Sequence, residues 1–226
     1  MKMDRKDQSQ MKRYLPFVII AAVLVTAVGV GVLMFRSSQP QPPPTPTPAS
    51  GSRATSNGPA SKGVVTIDEY GDYQCPPCGA LHPILKTLRG EYGGRIQIAF
   101  HHYPIPQLHP HALEASYAAA AAGLQGKFWD MHNMLYDNQS VWSQMGDIRP
   151  ILINFARQIG LDVPRFTRDM DGLQVVTIVS EDTQRASALG VNSTPTVFIN
   201  GQLIPNENLT VEGLHKEINQ RLPVSP

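Results

Sequence analysis

The chain has 226 residues, 42% of them hydrophobic, with 19 basic and 18 acidic side chains and a formal charge of +1. The first 63 residues hold eight of the basic and two of the acidic groups, so residues 64–226 are mildly acidic, with 11 against 16. That balance argues against a nucleic-acid-binding domain, which carries a basic footprint.

Residues 1–14 form a basic tail with Lys2, Arg5, Lys6, Lys12 and Arg13. Residues 15–35 then run for 21 positions without a charge. As a helix this stretch would be about 31 Å long, matching a hydrocarbon core of about 30 Å, so a transmembrane anchor is expected. The run exceeds the roughly 7 to 15 apolar residues of a signal peptide, and no small-residue cleavage site follows it, which favours an uncleaved anchor. Only Arg36 flanks its far end, so the positive-inside rule places the N-terminus in the cytoplasm and the rest outside. Residues 36–63 hold seven prolines among Ser, Thr, Gly and Asn, the composition of an extended linker.

Residues 64–226 read as the folded domain. A β-branched run at 64–70 predicts a strand, and Leu81, Ile84, Leu85 and Leu88 have helical spacing. Between them lies Cys75-Pro76-Pro77-Cys78, which contains the only two cysteines of the chain. A C-x-x-C pair serves as a redox dithiol, as half of a zinc site or as a structural staple, and spacing alone does not decide among them. The strand-to-helix setting puts Cys75 near a helix N-terminus, where unpaired N–H groups and the helix dipole favour a thiolate. Three residues close too small a loop for a useful staple, and zinc usually takes four ligands. Cys75, first in the pair, is the candidate nucleophile and Cys78 its buried partner.

After Gly93-Gly94, residues 95–100 predict a second strand, which makes a βαβ unit with parallel strands. Helical segments follow at 112–124, 128–136, 147–159 and 175–189, with a short turn near 164–170. Residues 195–199 read as a strand, Asn200-Gly201 as a hairpin turn, 202–204 as its partner and 210–221 as a closing helix. This is an α/β, thioredoxin-like order with a helical subdomain inserted at about 106–189.

Several blocks of the sequence resemble one family in the same order. Glu69-Tyr-Gly-Asp-Tyr-Gln-Cys-Pro-Pro-Cys78 looks like the active-site signature of DsbA-like thiol:disulfide oxidoreductases of the membrane-anchored branch. Phe100-His-His-Tyr-Pro-Ile105, His109-Pro-His-Ala112, Gly126-Lys-Phe-Trp-Asp-Met-His132 and Gly190-Val-Asn-Ser-Thr-Pro-Thr-Val-Phe-Ile-Asn-Gly201 are also similar to that family. The resemblance spans residues 64–221. It implies a protein disulfide oxidoreductase with no cofactor beyond the Cys75-Cys78 disulfide. It implies a cis Thr194-Pro195 bond facing the dithiol, with the Thr194 backbone pairing with substrate, and Glu69 as proton acceptor for Cys78. Asp68, on the other face of the strand, rivals Glu69. Pro76 and Pro77 complete the candidate substrate-contacting residues.

Pro77 stands where the strongest oxidants of this family carry histidine. It supplies no imidazolium, and neither proline has an N–H, so donors to the Cys75 sulfur must come from Cys78 or beyond. An intermediate redox potential is therefore expected. His101, His102, His109 and His111 suggest a copper or zinc site, but their places at a strand end and a helix start match family positions without metal, so none is expected. Asn138, Asn192 and Asn208 open Asn-x-Ser/Thr triplets to which no function attaches, and Trp129 and Trp142 read as core or groove-wall residues.

The resulting expectation is a single-pass protein of the bacterial cytoplasmic membrane, with its catalytic domain on the periplasmic or extracytoplasmic side. It would exchange disulfides with exported cysteine-containing proteins, chiefly as an oxidase, and a membrane redox partner, either a quinone-linked oxidase or a thiol reductase, would recycle it. The same chemistry run as a reductase or isomerase is the first alternative. A copper metallochaperone using the C-x-x-C is the second.

Overall fold

Val65, Ile67 and Glu69 share one face of β1 (Val65–Gly71), and all three are buried, as the two-residue period of a strand requires. These features belong to a computed structural model that describes residues 63–223. The expected tail and anchor, and the linker up to residue 62, lie outside the described residues. Among the described residues, no helix is long and apolar enough to cross a membrane.

β1 runs into α1 (Pro76–Tyr92), which returns through Gly93 to β2 (Ile96–His102). β1 and β2 pair in parallel from Val65–Ile96 to Gly71–His102. β3 (Thr196–Ile199) and β4 (Gln202–Ile204) add antiparallel strands on the other side, giving the order β2-β1-β3-β4. The turn between them has Asn200 at φ 49° and Gly201 at φ 76°, the positive pair that a two-residue hairpin needs. α8 (Val211–Asn219) begins on Thr210, whose side chain accepts from the Gly213 N–H. Leu214 and Ile218 of α8 pack with Leu81, Leu85 and Leu88 of α1 against the sheet.

The insertion between β2 and β3 comprises α2 (Ala112–Gly123), α3 (Phe128–Asp137), α4 (Gln139–Trp142), α5 (Arg149–Gln158), α6 (Val163–Met170) and α7 (Leu173–Ala188). α2 is its axis. Eight of its twelve residues are buried, seven of them alanine, and α3, α6 and α7 all pack against it. Small side chains let several helices approach one axis closely. Residues 163–170 form a full two-turn helix rather than the short turn predicted. Asp162 caps it by accepting from the Arg165 N–H, and Pro164 falls in the first turn, where its missing N–H costs nothing. The single turn of α4 has no counterpart in the sequence reading.

A buried ionic clasp ties α7 to the outer face of the sheet. His101 on β2 places Nε2 3.0 Å from Asp68 Oδ1 and Nδ1 3.5 Å from Asp182 Oδ1, and the His102 N–H donates to Asp182 Oδ2 at 2.9 Å. Burial opposes a charge on His101, yet its bonds to Asp182 and Asp68 carry its pKa up to about 9. Because that value exceeds the unfolded one, the stabilisation is complete below about pH 6.5 and is lost as pH rises through about 9. Asp182→Ala leaves the buried His101 imidazolium with Asp68 alone and strands the buried His102 N–H, and is expected to cost about 3 kcal/mol at pH 6. Urea unfolding should show a lower midpoint, and the deficit should shrink above pH 9.

Candidate active site at the Cys75-Cys78 turn

The last residue of β1, Gly71, lies so close to Phe100 that any side chain there would collide with the ring. Asp72 then turns the chain. Its carbonyl accepts the Cys75 N–H at 3.1 Å, and Cys75, in extended conformation, becomes the N-cap of α1. Pro76 and Pro77 occupy the first helical positions, where no intrahelical acceptor awaits an N–H. Both are exposed, whereas Cys75 is 5% exposed and Cys78 fully buried, and both thiols are free.

The two sulfurs are driven in opposite directions. Hydrogen bonding from the Cys78 thiol is the main influence on Cys75; it outweighs burial and, with the Thr194 side chain and the Cys78 N–H, lowers the pKa to about 6. The Cys78 N–H is thus the backbone donor left to the site once two prolines have removed theirs. Burial, the bond to Cys75 and the nearby Glu69 carboxyl push Cys78 well above the ordinary thiol value. Across the turn, the Thr194 carbonyl lies 3.4 Å from Cys75 Sγ, and the Thr194-Pro195 bond is cis.

Glu69 points inward, 2% exposed, with Oε1 lacking a hydrogen-bond partner. Burial, followed by the charge on Cys75, raises its pKa to about 8 against a lesser opposing effect of His101. Asp68, its rival, lies on the other face and pairs with His101.

The insertion grips the cysteine turn through residues to which the sequence reading gave no role. Asp72 Oδ1 accepts the Gln74 N–H at 2.8 Å, and Asp72 Oδ2 accepts the Ile105 N–H at 2.9 Å. The Gln74 side chain donates to the Ser143 carbonyl and accepts the His111 N–H. Gln139 on α4 donates to the carbonyls of Tyr73 and Cys75, and the Tyr136 hydroxyl donates to the Asp72 carbonyl. Asp72 and Gln74 stood inside the quoted motif, so position alone pointed to them. The four histidines have separate surroundings: His101 lies in the clasp, His102 is buried, His109 Nδ1 is 2.8 Å from Asp72, and His111 Nε2 is 2.7 Å from the Met145 carbonyl. Among the described residues no group of three or more His, Cys, Asp or Glu side chains is placed to hold a metal ion. Trp142 is fully buried and donates to the Leu135 carbonyl, while Trp129 carries the Arg89 guanidinium 4.8 Å from its ring.

A partly accessible sulfur that ionises readily, a buried sulfur that does not, and a buried acid beside them can make and break a disulfide with a second molecule. Two outcomes follow. Alkylation of Cys75 in a Cys78→Ser variant should remain fast well below pH 8.5, but with a midpoint above 6, because that variant loses the Cys78 thiol that most lowers the Cys75 pKa. Glu69 is ionised above about pH 4.5 when unfolded but only above about 8 when folded, so it costs about 3 kcal/mol of stability at pH 7 and nothing below pH 4.5. Glu69→Gln should therefore gain stability over wild type as pH rises from 4.5 to 8, measured by urea unfolding.

A family model described as Thioredoxin matches residues 59–220. Among solved structures, BdbD of Bacillus subtilis superimposes with a TM-score of 0.63 at 20% identity, covering 71% of this chain and 89% of that one. MdbA of Corynebacterium diphtheriae, a thiol-disulfide oxidoreductase, gives 0.58 at 20% identity, covering 70% and 85%. The Na(+)/H(+) antiporter NhaA 1 of Salinispora arenicola is 37% identical over 139 residues, which are 61% of this chain and 20% of that protein. The chain thus spans about a fifth of the length of the curated relatives it matches. Family model and fold agree: the chain belongs to the thioredoxin family, and its fold, helical insertion included, is like those of BdbD and MdbA.

Proposed function

We propose that the chain is a membrane-tethered, extracytoplasmic thiol-disulfide oxidoreductase that introduces disulfides into exported proteins. The observation that carries thiol-disulfide exchange, in either direction, is the opposed ionisation of the two sulfurs, Cys75 near pH 6 above a Cys78 that stays protonated. In the oxidised protein a substrate thiolate attacks Cys75 Sγ. The Cys75-Cys78 bond breaks, and Cys78 leaves as a thiolate that takes a proton from Glu69. The second substrate thiol, deprotonated, attacks the substrate sulfur of the mixed disulfide and expels Cys75 as a thiolate, so substrate is oxidised and the protein reduced by two electrons. Thr194 and Pro195 form the wall that substrate backbone meets, Pro76 and Pro77 the apolar rim beside it. The protein needs no cofactor other than its own disulfide. The uncharged stretch at 15–35 supports the tether, and a quinone-linked oxidase in the same membrane is the partner that would reoxidise the dithiol.

Running the exchange in reverse, as a reductase or isomerase served by a thiol reductase, is favoured by one observation. A Cys75 pKa of about 6 lies nearer the value of about 7 in thioredoxin than that of about 3.5 in DsbA. Equilibration with glutathione discriminates between them. We expect a potential between about −270 and about −120 mV, with the oxidase reading favoured by the upper half of that range and the reverse by the lower. Cys75→Ser should abolish both oxidative refolding of a reduced protein and insulin reduction; retention of either would remove the dithiol from the chemistry.

A further inference from the structure

Asp72 is fully buried three positions before Cys75, and both of its carboxylate oxygens are engaged. Oδ1 takes the Gln74 N–H at 2.8 Å; Oδ2 takes the Ile105 N–H at 2.9 Å and lies 2.8 Å from His109 Nδ1. A carboxylate only accepts, so the His109 proton facing it sits on Nδ1. The Asp72 carbonyl also holds the Cys75 N–H and accepts the Tyr136 hydroxyl. A side-chain amide would satisfy the Gln74 N–H equally well, yet a carboxylate is held here, on the residue whose carbonyl takes the Cys75 N–H. Hydrogen bonding from Cys78 favours the Cys75 thiolate, whereas burial and the Asp72 charge both oppose it. The His109 imidazole, with an 18% exposed side chain, connects that buried charge to the surface.

We infer that Asp72 and His109 form a pair that sets the redox potential of the dithiol: the carboxylate raises the energy of the Cys75 thiolate, and the imidazole offsets part of that charge. Both are positioning residues, acting on the exchanging sulfur without touching substrate. The pair holds the protein below the oxidising power that its helix N-terminus alone would give. The inference rests on the Cys75-Cys78 pair being the exchanging couple.

The test compares the equilibrium with glutathione in the wild-type protein, Asp72→Asn and His109→Gln, alongside the thiolate titration of Cys75. Asp72→Asn should shift the equilibrium about tenfold towards the reduced protein, which is about 30 mV more oxidising, and move the titration to lower pH. His109→Gln should shift both readouts the other way. A merely structural role would lower the melting temperature and leave the potential unmoved. Potentials within twofold of wild type in either variant, or a shift in the opposite sense, would overturn the inference. Should Asp72→Asn fail to fold, His109→Gln decides alone, since its ring reaches the surface. Absence of any measurable couple in the wild-type protein would instead sink the proposed function, so the two failures are distinct.

Discussion

The first helix of the domain begins on two residues without N–H groups, so the backbone donor facing the Cys75 sulfur is the N–H of Cys78. A helix N-terminus normally offers several such donors to an anion. Here Cys78 supplies the thiol as well as the N–H, and Thr194 adds a bond from across the turn. The stability of the Cys75 thiolate thus depends on two neighbours that must both be held in place. Gln139 and Tyr136 bind the carbonyls of Cys75 and Asp72, and Gln74 that of Ser143, so these contacts hold the Cys75 side of the arrangement.

Burial does the rest by acting unequally. The same low-polarity surroundings that leave Cys75 a narrow opening enclose Cys78 and Glu69, raising both and keeping a proton available between them near neutral pH. A buried carboxyl with an unpartnered oxygen is costly to the fold. The cysteines belong to the insertion core, with Tyr73, next to the core between sheet and α1.

The parts legible in the sequence were those governed by local rules. Two cysteines at a strand-to-helix junction, the inward face of Glu69 and the Asn200-Gly201 turn follow from spacing, period and positive φ, and each has its expected place. The resemblance supplied the cis bond before Pro195, which no local rule fixes. Contacts between distant segments were not legible. Nothing near His101 shows that Asp182, 81 residues away, will meet it, and Gln139 looks like any polar loop residue until its helix is docked. The helix at 163–170 was underestimated because only two of its residues, Phe166 and Met170, are buried, which left a short apolar stripe against a charged face.

The proposed exchange divides the labour between the two sulfurs: Cys75 would meet the substrate, and Cys78 would not. Incubating each single-cysteine variant, as the free thiol, with an unfolded protein whose cysteine is activated as a mixed disulfide with a small thiol, which is released on attack, and analysing the products by non-reducing mass spectrometry, tests it directly. Cys78→Ser should accumulate a covalent complex through Cys75, whereas Cys75→Ser should accumulate none. Equal trapping at Cys78 would contradict the account.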